Sequence, residues 1–188
     1  ISPLSIWSMG KGKGASSLYQ TLNGHLRNGS KIYFITSNSN IDLQSTTFHP
    51  NLFIKNIPRL SLFLWILRIK YISIIGRILY YLFFNILAFI YAIPILYNKS
   101  IGILYAYELT GIPAVTKLAF IYNIPWIARF QGTKIRPSDY RNTRFRRFDA
   151  HLGYYFSRFS NLVIMTNDGT QGNQLLSYFG VPVKKVHF

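Results

Sequence analysis

Twenty consecutive residues, Ile78 to Tyr97, carry no charged side chain, and this run constrains the chain more than any other feature. Its length is about what a helix needs to cross the hydrocarbon core of a bilayer. Asn85 and Pro94 interrupt it. The preceding segment, Leu60 to Ile75, is also apolar but carries Arg68 and Lys70, with Arg77 just beyond. Three structures satisfy such a run: a membrane span, a helix lying in the lipid interface with its basic residues at the head groups, or a buried crossover helix. A strand-like segment, Ile101 to Tyr105, follows directly. An alternation of strands and helices calls for a helix here, which favours the interfacial and crossover readings over the span.

That alternation runs through the whole chain and predicts a parallel sheet with crossover helices. Strands are expected at Leu4 to Ser8, Lys31 to Thr36, Leu52 to Ile57 (ended by Pro58), Ile101 to Tyr105, Pro125 to Phe130, Leu162 to Thr166 and from Lys185 onward. The first helix starts near Ala15, keeps Leu18, Tyr19, Leu22 and Leu26 at helical spacing, and meets Gly29 where a left-handed cap residue belongs. Further helices are expected over Leu109 to Tyr122, with Ala114, Leu118 and Ile121 on one face, and over Asp168 to Phe179. Arg144 to Phe159 reads as an amphipathic helix whose apolar face is Phe145, Phe148, Leu152, Tyr155 and Phe159.

Composition narrows the class. At 188 residues, 49% hydrophobic and 14% charged, the chain suits one domain and is too apolar for disorder. It has no cysteine, hence no disulfide and no thiolate metal site. Its histidines, His25, His49, His151 and His187, are scattered without metal spacing; His25 and His151 are expected at the surface. The net charge of +16 implies attraction to polyanions, and the long apolar segments favour a membrane surface over nucleic acid. The basic run Lys134, Arg136, Arg141, Arg144, Arg146 and Arg147 reads as a solvated face suited to anionic lipid. No basic-then-apolar leader is visible. The absence of an initiator Met and the abrupt end at Phe188 suggest a fragment of a longer protein.

Two constellations carry candidate chemistry. Gly10-Lys11-Gly12-Lys13-Gly14 stands between a strand and a helix. Glycines there permit a tight turn and a close ligand, and the helix N-terminus offers free amides to a phosphate or a sugar hydroxyl. The spacing is neither G-x-G-x-x-G nor a P-loop. The second constellation lies at strand ends: Glu108, then Arg129-Phe130-Gln131-Gly132-Thr133, then Thr166-Asn167-Asp168-Gly169. In a parallel sheet these ends share the carboxyl edge, where open α/β sheets bind ligands. An Arg129–Glu108 ion pair and an Asp168 helix cap are the plain alternatives.

The ordered set of these pieces resembles the retaining, family 4 glycosyltransferases of GT-B fold. The pieces are Gly10 to Gly14 with the helix ending Leu26-Arg27-Asn28-Gly29; Leu104-Tyr105-Ala106-Tyr107-Glu108 with the helix Gly111 to Tyr122; Ile124 to Thr133; and Leu162 to Thr166 through Phe179-Gly180-Val181-Pro182 to Val186. The resemblance implies a Rossmann-like amino-terminal domain over residues 1–188, forming the acceptor side of a cleft. It places the donor-binding domain, with its paired glutamates, beyond Phe188, so the fragment alone is not expected to be active. It implies transfer from a nucleotide sugar to an acceptor hydroxyl with retention, no cofactor and no metal. Gly10, Gly12, Lys13, Gly14, Glu108, Arg129, Gly132, Thr133 and Asp168 become candidate substrate or phosphate contacts. Gln131 falls where the family often has His; Gln cannot accept a proton near neutral pH but can hydrogen-bond a sugar hydroxyl. The expected setting is the cytoplasmic face of the inner membrane, with a glycan or lipid-linked acceptor, an anionic membrane surface as partner and no nucleic acid. The rival reading is a non-catalytic membrane-associated protein anchored through 60–97.

Overall fold

Leu18, Leu22 and Leu26 recur at four-residue steps and form the buried stripe of α1 (Ser16–Arg27). Gly29 ends the helix at φ 78°, with Ser30 N donating to His25 O and Gly29 N to Leu26 O, the paired bonds of a left-handed cap. The computed structural model describes residues 1–3, 16–37, 49–57, 73–140, 147–166 and 171–188. The expected strand Leu4 to Ser8, the glycine turn 10–14, the segment 60–72, Arg141, Arg144, Arg146 and Asp168 lie outside them.

The remaining elements follow the predicted alternation. They are β1 (Ile32–Thr36), β2 (Leu52–Asn56), α2 (Ser73–Asn98), β3 (Leu104–Tyr107), α3 (Ile112–Tyr122), β4 (Trp126–Phe130), α4 (Phe148–Ser157), β5 (Leu162–Met165), α5 (Gly172–Tyr178) and β6 (Val186–His187). The strand expected at Ile101 to Tyr105 begins three residues later, and α4 is shorter than expected at its carboxyl end.

Among the described residues all strand pairs are parallel. β1 pairs with β2, and β3, β4, β5 and β6 form a second sheet in that order. Ile1 and Ser2 lie between the two sheets. Ser2 N donates to Ile35 O at 3.0 Å, Ile1 N to Tyr105 O at 2.7 Å, and Tyr107 N to Ile1 O at 3.1 Å. The resulting order is β2, β1, residues 1–2, β3, β4, β5, β6. A doubly wound Rossmann-like domain arranges its strands in this order. The fold is thus mixed α/β with parallel strands flanked by helices. The switch point falls between residues 1–2 and β3.

The two faces are covered differently. Phe34 and Tyr107 pack with Leu18 and Leu22 of α1. On the other face Ala106, Ala128, Phe130, Val163 and Met165 pack with residues of α3, α4 and α5. α2 adds Phe84, Ala88 and Ala92 against Ile35, Ala114 and Leu118.

Neither Asn85 nor Pro94 breaks α2. Asn85 has a structural use: its Nδ2 donates to Tyr81 O at 2.8 Å and its Oδ1 accepts from Ala114 N at 3.0 Å. α3 has Gly111 at its N-cap, with no side chain to accept from its first turn, and Pro113 follows without an N–H. The orphan amide of Ala114 is therefore capped from a neighbouring helix.

Two expected apolar faces are corrected. On α4, Leu152 and Tyr155 are exposed at 39% and 43%, as is Phe159 just beyond it at 51%, whereas Phe148 is half-buried and Ala150, Gly153, Tyr154 and Ser157 face inward. The small residues allow a close approach: a Cβ on Gly153 would stand 2.7 Å from Leu109 Cδ2. The aromatic stripe instead lies under Arg158, whose guanidinium is 4.9 Å from the Tyr155 ring and 5.1 Å from that of Phe159. On α3, Ala114 and Leu118 are buried as expected but Ile121 is exposed.

Candidate functional site at the carboxyl edge of the central strands

β3 ends in an unusual residue. Glu108 has φ 65° and ψ 171°, a region essentially reserved for glycine and costing another residue about 1–3 kcal/mol. Its amide is fixed by Arg129 O at 2.9 Å. The 3-10 turn Leu109–Gly111 begins at the next residue, and Leu109 is fully buried against Gly153. The backbone is thus held on both sides of the strained position.

The side chain of Glu108 is 9% exposed. Its Oε1 accepts from Gln131 N at 2.9 Å. Burial raises the carboxyl pKa; the Lys134 charge and the Gln131 N–H oppose that rise. The expected Arg129–Glu108 ion pair is replaced by other contacts. The Arg129 guanidinium lies 6.0 Å from the Tyr107 ring centroid, and its charge opposes the rise that burial gives the Tyr105 phenol. Its Nε is buried without a partner among the described residues. Strand register explains this: Tyr107 and Arg129 are direct partners on one face.

Gln131 ties the two strand ends together, because its Nε2 donates to the Tyr107 hydroxyl at 2.9 Å. Gly132 and Thr133 follow. Tyr154 anchors their loop from below: its hydroxyl accepts from Lys134 N at 3.1 Å and donates to Gly132 O at 3.4 Å. Burial, the largest cause, pushes the Tyr154 phenol above its ordinary value, so it stays a neutral donor. Thr166 N donates to Phe130 O at 3.0 Å, which brings the end of β5 to the same edge.

Five of the candidate residues, Glu108, Arg129, Gln131, Gly132 and Thr133, are therefore neighbours. Gly10, Gly12, Lys13, Gly14 and Asp168 lie outside the described residues. Tyr107 and Tyr154 were not singled out from the sequence. The alternation Tyr105-Ala106-Tyr107 could have placed Tyr107 beside the strand end. Nothing distinguishes Tyr154 from Tyr155 except the small residue before it. His25 is exposed as expected, while His151 is half-buried, its ring edge-on to Phe179 at 5.4 Å. Among the described residues no three His, Asp or Glu side chains gather as a metal site.

A cavity of about 530 Å³ lies elsewhere, at the amino-terminal ends of β1 and β3, with His25, Lys31 and Lys99 on its lining. Tyr107 contributes to its wall, but Glu108 and Gln131 face the opposite edge of the sheet. The switch-point rule assigns ligands to that carboxyl edge.

The Glu108 carboxyl makes a pH dependence. A carboxyl with a raised folded-state pKa binds its proton more readily in the folded chain. Stability contributed by this group is therefore gained as pH falls through the raised value and is lost again as pH rises through it. Relative to Glu108→Gln, the wild-type chain should become more stable on acidification from neutrality toward the ordinary carboxylate range. Urea melts of both proteins at several pH values check this, and the difference cancels every other titrating group. A difference that moves the opposite way would show that pairing, not burial, dominates Glu108.

No protein-family model matches the chain, and no curated protein does.

Proposed function

We propose that this chain forms the acceptor-side half of a retaining glycosyltransferase of GT-B architecture, at the cytoplasmic face of the inner membrane. It would transfer a sugar from a nucleotide-sugar donor to a hydroxyl of a glycan or lipid-linked acceptor. The observation that supports this reading most is Glu108: a buried carboxylate on strained backbone, beside the switch point. Such strain persists where the surroundings over-determine it, and it clusters at ligand sites.

In this reading the Glu108 Oε2 accepts from an acceptor hydroxyl, and Gln131, unable to take a proton, orients a second one. Arg129, whose Nε lacks a partner among the described residues, and Lys134 face the departing diphosphate, and Gly10, Gly12, Lys13 and Gly14 are the further phosphate contacts that the resemblance implies. Fixed cations and amides stabilise charge that develops only as the sugar–phosphate bond breaks. Gly132 and Thr133 shape the loop next to the acceptor, and Asp168 is a further contact that the family resemblance implies.

The test is transfer of labelled sugar from a panel of nucleotide sugars to membrane lipid extract by the full protein carrying this chain. Glu108→Gln should lower kcat/KM by about 10–100-fold, as expected for one charged hydrogen bond. If no donor is turned over and none raises the melting temperature, the reading fails. A non-catalytic protein held at the membrane through 60–97 is the second reading. It is favoured by one observation, the exposed apolar side of α2.

A further inference from the structure

We infer that α2 lies flat in the interface of an anionic lipid bilayer, docked through the side facing away from the sheet, and does not cross the membrane. This deepens the membrane partner proposed above but rests on no sugar chemistry, so either can fail alone.

The two sides of α2 differ sharply. Leu82, Ile86 and Ile90 are 49%, 54% and 53% exposed and Tyr97 is 84% exposed. Together with Ile78 and Ile93 they fall within an arc of about 120° at 100° per residue. Such a stripe, about 29 Å long by helical rise, is far larger than scattered surface apolar residues require. The opposite side is a seat. Tyr81, Phe84, Ala88 and Ala92 are 0–4% exposed, and three of them meet Ile35, Ala114 and Leu118.

The seat decides between lying and spanning. By composition α2 could cross a membrane, since residues 74–98 are long and apolar enough. Crossing would strip α2 from the domain. Ile35, Ile57, Ala114 and Leu118 would then meet water, and Ala114 N would lose its cap on Asn85. Each Å² of apolar surface so exposed costs about 25 cal/mol, and the lost cap about 1 kcal/mol more. Lying flat keeps the seat and immerses only the stripe.

Charge identifies the surface as anionic. Neither α2 nor α3 contains an acidic residue, in a chain of net charge +16. Lys117 holds its ammonium 6.0 Å from the Phe89 ring at the edge of the stripe. Phe120 at 87% and Ile121 at 53% exposure follow Lys117 by three and four residues, on its side of α3. A cation at the edge of an apolar strip, in a chain of this net charge, matches acidic head groups above acyl chains.

The chain has no cysteine, so single cysteines at Leu82, Ile86, Ile90 and Tyr97 can carry a fluorophore each. The probe membrane is phosphatidylcholine vesicles with and without phosphatidylglycerol, with quenchers near the head group or near the chain end. Flat docking predicts the same shallow depth at all four positions. It also predicts binding that needs phosphatidylglycerol and release by alkaline carbonate. Ile86→Glu with Ile90→Glu should weaken vesicle binding at least about tenfold without lowering the melting temperature. Ile86→Ser and Ile90→Ser, each alone, give the same readout where the double variant folds poorly. A depth that deepens and then returns from Leu82 to Tyr97, with resistance to carbonate, would establish a span and overturn the inference. So would absence of vesicle binding. Binding abolished by about 0.5 M salt yet indifferent to the stripe variants would overturn it as well, leaving a merely polyanion-binding surface.

Discussion

Glu108→Gly is expected to be more stable than Glu108→Ala, by about 1–2 kcal/mol. At most positions the order is the reverse, since glycine loses more conformational freedom on folding and trails alanine by about 0.5–1 kcal/mol. Both variants discard the carboxylate and its bond to Gln131 N, so their difference isolates the backbone. At φ 65° and ψ 171° alanine keeps the clash of Cβ with its own backbone, and glycine removes it. For a domain of this size the gap corresponds to roughly 2–8 °C in melting temperature, readable by calorimetry. Equal stabilities, or a more stable alanine variant, would mean that the position is not strained. In the proposed enzyme both variants should lose transfer at least as far as Glu108→Gln. Relief of strain with loss of activity is the signature of a residue kept for chemistry.

The second large effect belongs to α2. Phe84→Ala should cost about 3–5 kcal/mol, because Phe84 is fully buried in the cluster with Ile35, Ala114 and Leu118. Ile86→Ala, two residues along and 54% exposed, should change stability by no more than about 0.5 kcal/mol. Chemical denaturation of both variants in the absence of lipid measures the contrast. A loosely associated helix would give two small effects; a helix free of the domain would give none. Because native domains are stable by only about 5–15 kcal/mol, the Phe84 variant should be close to unfolding at physiological temperature.

Strand and helix order was legible because it rests on local pattern. Lys31 to Thr36 and Pro125 to Phe130 are β-branched or aromatic runs between turn residues, and Gly29 marks a helix end. The faces were less legible. Periodicity says that residues share a side, not which side meets the core. On α4 the small side, Ala150, Gly153 and Ser157, packs inward because Gly153 admits Leu109, and the aromatic side stands out under Arg158. The cluster at Glu108, Arg129 and Gln131 followed from parallel strands ending at one edge. Its internal wiring did not follow. Whether Glu108 meets Arg129 or Gln131 depends on a backbone angle that no residue type announces, and on register that pairs Tyr107 with Arg129. Asn85 was visible only as an interruption in an apolar run. Its role as a cap depends on α3, 29 residues later in the chain, lacking an acceptor of its own.

The bonds of Ile1 and Ser2 have a mechanical consequence. The amide of Tyr107 is held by Ile1 O on one side of β3, and the amide of Glu108 by Arg129 O on the other. The strained backbone at Glu108 thus follows directly on a strand end held from both sides of the sheet. Loss of the Glu108–Arg129 bond should let the residue relax toward an ordinary angle and move its carboxylate away from Gln131 N. Hydrogen exchange at the Tyr107 and Glu108 amides would time the opening of each side of that strand end separately.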